Sequence, residues 1–309
     1  MRNAFADEVT KLAQEDPRVV LLVGDIGNRL FDNLRAASPE RFLNCGVAEA
    51  NMIGMAAGMA ASGMRPVAYT ITPFITTRVF EQIRVDLCYQ NVPVVVVGTG
   101  SGLSYASLGA THHSLEDIAI FRTLPNMAVL APCDATEVRL ALRAALQRDK
   151  PTYIRIGKKG EAAVHTQRPD FQIGKGIVLR DGHDVALIAT GVMVWSAITT
   201  AELLAADGVS ARVISMHSIK PLDEELVADC LGRFKVVATV EEHGRIGGLG
   251  GAVAEFLADQ PPQKARLCRF GTADNFMKTA GETECARELF HLTPEHMAKA
   301  VLDKLAACG

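Results

Sequence analysis

Apolar runs and helical periodicities alternate along the chain. Residues 19–26 open with the unbroken run Val19-Val20-Leu21-Leu22-Val23 and close on Gly24-Asp25-Ile26. Residues 92–98, Val92-Pro93-Val94-Val95-Val96-Val97-Gly98, form the clearest such run. Runs without polar alternation, bounded by glycine, suit strands buried on both faces, as in parallel sheets. Shorter runs at 41–44, 67–71, 127–131 and 152–156 read the same way. Between them, 3–15, 30–36, 49–61, 78–90 and 135–147 read as helices. Gly63 suits a C-cap, and Ser114 the N-cap of a further short helix.

The periodicity lapses over 158–175, which carries charges, Pro169 and Gly174 and reads as a linker. It then resumes, with strands near 185–190, 212–217, 236–241 and 266–270 and helices near 192–206, 223–231, 251–257 and 294–305. Thr293 followed by Pro294 marks the start of the last helix. The expected fold class is α/β, two doubly wound domains with mainly parallel sheets, at 1–160 and 176–309 around a linker at 161–175.

Composition narrows the function classes. With 309 residues, 49% of them hydrophobic, the chain can bury two cores. A formal net charge of -3 leaves no electrostatic footprint for nucleic acid. Charges or prolines interrupt every apolar run before membrane-spanning length, and the acidic, amphipathic first residues are unlike a leader peptide. Seven scattered cysteines form no C-x-x-C pair and read as thiols of a cytoplasmic protein, with no metal site.

Two stretches invite chemistry. Residues 49–61 are a helix of Ala, Gly and Met, apolar all round and so expected to be buried. Glu49 is the only charge between Phe42 and Met64, so it must stabilise the helix start or meet a ligand. Residues 98–109 form a Gly/Ser-rich loop, too long for a simple connection, that leads to Thr111-His112-His113. A histidine there suits proton transfer or donation to a carbonyl, or it merely caps the loop.

Gly46-Val47-Ala48-Glu49-Ala50-Asn51-Met52 resembles the signature around the activating glutamate of the transketolase family of thiamine diphosphate enzymes. Phe74-Ile75-Thr76-Thr77-Arg78 resembles the family's pyrimidine-contact segment, and Thr111-His112-His113-Ser114 its substrate-side histidine segment. Pro132-Cys133-Asp134-Ala135-Thr136-Glu137 and the strand at 152–156 follow in the family's order. The resemblance implies that Glu49 bonds the pyrimidine N1′ and that Phe74 stacks on the ring, with Arg78, Asp25 and Ile26 nearby. It implies substrate contacts at His112 and Lys158. It also implies transfer of a two-carbon ketol unit through a thiamine diphosphate carbanion.

Departures from the family matter. Leu108 and Gly100 stand where sugar-specific relatives carry an aspartate and a histidine for donor hydroxyls. A leucine cannot bond a hydroxyl, so a 2-oxo acid decarboxylating, acyl-transferring or deoxyxylulose-phosphate-synthase-like activity stays open. No Gly-Asp-Gly occurs, and that motif with its asparagines holds the diphosphate and Mg²⁺ in the family. The resemblance therefore implies a partner subunit that carries them, with two copies of each chain in a heterotetramer. A non-catalytic stabilising subunit is a further alternative. Another is a nucleotide-binding protein using Glu241-Glu242-His243-Gly244-Arg245-Ile246-Gly247-Gly248-Leu249-Gly250-Gly251, whose glycines and helix start could meet phosphate.

Overall fold

The structure is a computed structural model that describes residues 1–27, 29–278 and 281–308. The chain opens with α1 (Arg2–Glu15), β1 (Val19–Val23), α2 (Asp32–Ala37), β2 (Phe42–Asn44), α3 (Glu49–Ala61) and β3 (Arg65–Ile71). It continues through α4 (Thr72–Ile75), α5 (Phe80–Gln82), β4 (Val95–Thr99), α6 (Asp117–Arg122), β5 (Ala128–Leu130), α7 (Ala135–Leu146) and β6 (Thr152–Ile156). The second half holds β7 (Ile177–Arg180), β8 (Val185–Ala189), α8 (Met193–Ala206), β9 (Ala211–Ser215), β10 (Ser218–Lys220), α9 (Glu224–Arg233) and β11 (Val236–Gly244). It ends with α10 (Leu249–Ala258), β12 (Arg266–Thr272), α11 (Thr283–Leu289) and α12 (Pro294–Ala306).

Two sheets form, ordered β10-β5-β6-β4-β3-β1-β2 and β12-β11-β8-β9-β7. The runs read as doubly buried strands are so: every residue of β1, β4 and β6 is buried. Alternate residues feed the two faces. Leu21, Val95, Val97 and Ile154 pack with α1 and α7, while Leu22, Val94, Val96 and Tyr153 pack with α3 and Phe121 of α6. The fold is α/β with mainly parallel pairing, as expected.

The exceptions lie at the edges. β7 and β10 pair antiparallel with β9 and β5, and the sequence reading contains neither. β10 belongs to the second half of the chain yet closes the first sheet, so the two halves share a sheet edge. A three-residue strand ending at Lys220-Pro221 is too short for a periodicity to announce it.

Phe74 sits in the single turn α4, and two local expectations change. The helix expected at 78–90 is a 3₁₀ turn (Thr77–Val79), then α5, then a π-helical stretch (Ile83–Tyr89), a form that tends to accompany functional sites. Ser114 caps no helix: its N–H bonds Gly102 O at 3.0 Å and its buried hydroxyl has no partner. α6 starts at Asp117, whose carboxylate is held by Arg155.

Candidate active site

The candidate side chains leave the carboxyl ends of the first sheet's parallel strands, where open α/β sheets bind ligands. Glu49 follows β2, Phe74 and Arg78 follow β3, His112 lies in the segment after β4, and Lys158 follows β6. The fold thus gathers residues scattered over more than a hundred positions.

Glu49 is the first residue of α3 and is only 3% exposed. No side chain caps this helix, and an acidic residue in its first turn is favoured by the helix dipole. Glu49 turns to Arg78, whose Nη1 donates to both carboxylate oxygens at 3.0 and 3.1 Å. Gly24 lies beside both groups: a Cβ there would crowd Thr70 Oγ1 at 3.1 Å and make an ordinary contact with Glu49 Cγ at 3.6 Å. That Thr70 hydroxyl is buried and unpartnered.

From Glu49 a continuous row runs outward. The Arg78 guanidinium lies 4.1 Å from the centroid of the Phe74 ring. Phe74 meets the His112 ring edge-on at 5.3 Å. His112 is 5.7 Å from the Tyr105 ring, over which Lys158 Nζ stands at 4.1 Å. Burial, helped by His113 and Arg78, lowers the His112 pKa, so the ring is neutral at pH 7. Thr111 Oγ1 lies 3.0 Å from His112 Nδ1 and 3.5 Å from Leu108 O. His113 turns inward and is buried, with Ala106 O 3.5 Å from its Nε2.

Other expected residues stand off this row. Asp25 is exposed, adopts φ +53°, and exchanges hydrogen bonds with Asn44, so its carboxylate joins the ends of β1 and β2. Ile26 packs against the α1-side core. Leu108 is 53% exposed and brings no polar side-chain group. Gly100 brings none either, and the Tyr105 ring fills its side-chain space: a Cβ there would lie 2.0 Å from Tyr105 Cε2. Tyr105 escapes the sequence reading because nothing in Leu103-Ser104-Tyr105-Ala106 signals that its ring folds back on Gly100.

The second half of the chain clamps the loop. Glu242, on β11, accepts the Leu103 N–H at 2.7 Å and pairs with Arg287 of α11. Gly102 has φ +61°, and a Cβ there would meet Glu242 Oε1 at 2.4 Å. Buried Arg155 bonds the Asp117 carboxylate and the carbonyls of Ser114 and Glu242. Large distance in sequence hides all of these from pattern reading.

The glycine-rich stretch at 247–251 does open a helix, but its anion place is taken. Glu241 accepts the N–H groups of Leu249 at 2.6 Å and Gly250 at 2.8 Å. A Cβ on Gly248 would lie 2.1 Å from Glu241 Oε2. Burial pushes the Glu241 pKa up to about 7. The sequence reading of this stretch as a phosphate cradle does not survive, because the chain supplies its own carboxylate.

Cys133, Glu137 and His165 have ligand atoms within 4.8 Å of one another. Glu137 is already engaged by Cys133 N–H, Ser215 Oγ and His165 Nε2, at 2.7, 2.8 and 2.8 Å. It joins the first half, the linker and β9 as a hydrogen-bonded junction.

Comparison with known proteins places the chain in a family. Residues 1–160 match the family described as "Transketolase, pyrimidine binding domain", and 174–297 match "Transketolase, C-terminal domain". The chain is 37% identical to a 6-deoxy-6-sulfo-D-fructose transketolase subunit from Clostridium sp. (strain MSTE9), over 97% of this chain and 92% of that one. It is 37% identical to one subunit of the apulose-4-phosphate transketolase of Phocaeicola vulgatus, over 84% of each. Among solved structures it is similar to "Split gene transketolase, inactive beta4 tetramer", at TM-score 0.91 and 37% identity over 99% of this chain and 98% of that one. A 1-deoxy-D-xylulose-5-phosphate synthase from Syntrophus aciditrophicus is 35% identical, and the chain spans 46% of it. The chain belongs to the transketolase family, as a subunit of a split transketolase-like enzyme.

Proposed function

We propose that Glu49 and Phe74 receive the aminopyrimidine of thiamine diphosphate, and that the chain transfers a two-carbon ketol unit between donor and acceptor together with a second subunit. The observation that carries this is the position of Arg78. Its planar guanidinium lies over the Phe74 face while donating to both Glu49 oxygens. A flat nitrogen heterocycle with a polar edge toward Glu49 fits the same two partners, and the orphaned Thr70 hydroxyl stands beside it. Arg78 would have to leave Glu49 for a pyrimidine to bind there.

Thiamine diphosphate, when bound, supplies the nucleophilic carbon and the electron sink. Glu49 holds a proton against the pyrimidine N1′. Phe74 fixes the ring plane. Neutral His112 exchanges a proton with the substrate oxygen. Lys158 meets an anionic group at the far end of the donor. Asp25 and Ile26 stand off the row, and their assignment to the cofactor edge rests on the family resemblance alone.

A Gly-Asp-Gly motif is lacking here, so the diphosphate and Mg²⁺ fall to the partner. We assign two copies of each chain. The α3 face bearing Gly54, Gly58 and Ala61 is exposed, whereas an apolar, small-residue helix calls for cover. Units at 1–160 and 176–309, with 161–175 between them, remain our division. Free thiols throughout support a cytoplasmic setting, and no helix among the described residues is long and apolar enough to cross a membrane.

The test is Glu49→Gln in the reconstituted complex. C2 proton exchange of bound cofactor should be lost while the fold persists; undiminished exchange would remove the assignment. The synthase-like reading keeps one specific support, the lack of polar side chains at Gly100 and Leu108. Product analysis with hydroxypyruvate and pyruvate as competing donors separates it, since pyruvate use would favour the synthase.

A further inference from the structure

We infer that Tyr105 sets donor specificity as a positioning residue, by holding the Lys158 ammonium at the outer end of the row for a donor with an anionic tail. This rests on the proposed reading of the row and deepens it. A lysine stem is flexible, and its ammonium has no geometry of its own. Here Nζ stands 4.1 Å from the Tyr105 ring centroid. The ring is wedged: it is 9% exposed, presses on Gly100, and neighbours His112 at 5.7 Å. Gly100 has φ +73° and no room for a Cβ, so the ring position and the glycine require each other. Burial pushes the phenol pKa up, so Tyr105 stays neutral and presents a π face rather than a counter-charge.

Two nearby carboxylates are engaged elsewhere, while Glu282 and Glu284 line the same cleft as Lys158 without forming an ion pair to it. Glu161 pairs with the Met1 amino group at 2.8 Å, and Glu242 with Arg287 at 2.7 Å. Among the described residues no carboxylate lies within 4.0 Å of the Lys158 ammonium. Lys158 also lines a cleft of about 460 Å³ between the two halves of the chain. A fixed, unpaired cation at the mouth of the row selects a charged donor over a neutral ketose of similar reach.

The experiment compares D-xylulose 5-phosphate with uncharged L-erythrulose in the complex with the partner subunit. Tyr105→Leu should raise KM for the phosphorylated donor about tenfold with kcat little changed, and leave erythrulose within about twofold. Tyr105→Phe, which keeps the ring, should match wild type, and Lys158→Met should reproduce the donor split. In the isolated chain, ¹³C-lysine labelling should show the Lys158 ε-methylene shifted upfield by the ring, a shift lost in Tyr105→Leu and kept in Tyr105→Phe. Equal KM changes for both donors, no wild-type preference for the phosphorylated one, or an unshifted Lys158 signal would overturn the inference. A wild-type complex that turns over neither donor, with the Lys158 shift present, would instead count against ketol transfer.

Discussion

Two buried glutamates meet helix N-termini in this chain, in opposite ways. Glu49 is the first residue of α3, and its carboxylate faces a side chain, Arg78, that is 47% exposed. Glu241 comes from β11 and is enclosed by the backbone N–H groups that open α10. Freeing Glu49 requires one surface side chain to swing. Freeing Glu241 requires a helix end to unravel. The sequence around each reads as a ligand site, glycine-rich and close to a helix start, but only the first has a displaceable partner. A carboxylate built for exchange is paired with something mobile; one built for structure is paired with backbone.

The largest expected effect breaks the comparison at Glu49. Glu49→Gln should lower turnover of the complex by about 10²–10⁴-fold, the range of a lost acid–base group. Thermal unfolding should barely shift, because its partner Arg78 is half-exposed. An equal loss of stability and turnover would make Glu49 another Glu241.

Acid titration probes the second region. His217 and His243 are fully buried, and burial lowers both pKa values to about 4 from 6.5. Below pH 6.5 the unfolded chain takes up protons that the folded chain refuses, so their stability contribution is present above 6.5 and lost as pH falls toward 4. Glu241 acts the other way. Its folded pKa of about 7 lies above the ordinary 4.5, so it favours the fold in acid and loses that contribution as pH rises from 4.5 to 7. Two histidines against one glutamate leave a net loss of stability as pH falls from 6.5 to 4.5. His112, also lowered, adds to the same side, and His165, raised by its bond to Glu137, acts above 6.5. Denaturant unfolding across pH 7 to 4.5 checks this, and Glu241→Gln should steepen the acid loss.

At neutral pH, Glu241→Ala should cost about 1–3 kcal/mol by leaving two buried N–H groups unpaired. Activity per folded molecule should be retained. A tight gain in nucleotide binding by this variant would revive the cradle at 247–251.

The smallest effect is at Arg78. Arg78→Ala removes the group lying on Phe74 and Glu49, so cofactor binding to the complex should tighten about threefold, with a stability change under about 1 kcal/mol. Calorimetric titration with thiamine diphosphate measures it; weaker binding would show that Arg78 serves the bound cofactor rather than its place.

The βα alternation, the buried strands and the place of Glu49 at a helix start were legible because each is local. A doubly buried strand must be apolar at successive positions, and a lone charge in an Ala/Gly/Met helix needs a partner. The missing Gly-Asp-Gly was legible for the same reason. Other features lay beyond any window of sequence. Glu242 reaches Leu103 across 139 positions, Arg155 reaches Glu242 O across 87, and β10 crosses to the first sheet. Arg78 on Phe74, Tyr105 against Gly100, and Glu241 in its own helix mouth are likewise matters of which groups come within a few ångströms. Hydrophobic period sets which faces are buried; which polar group fills a given hollow is decided only when distant segments compete for it in the packed chain.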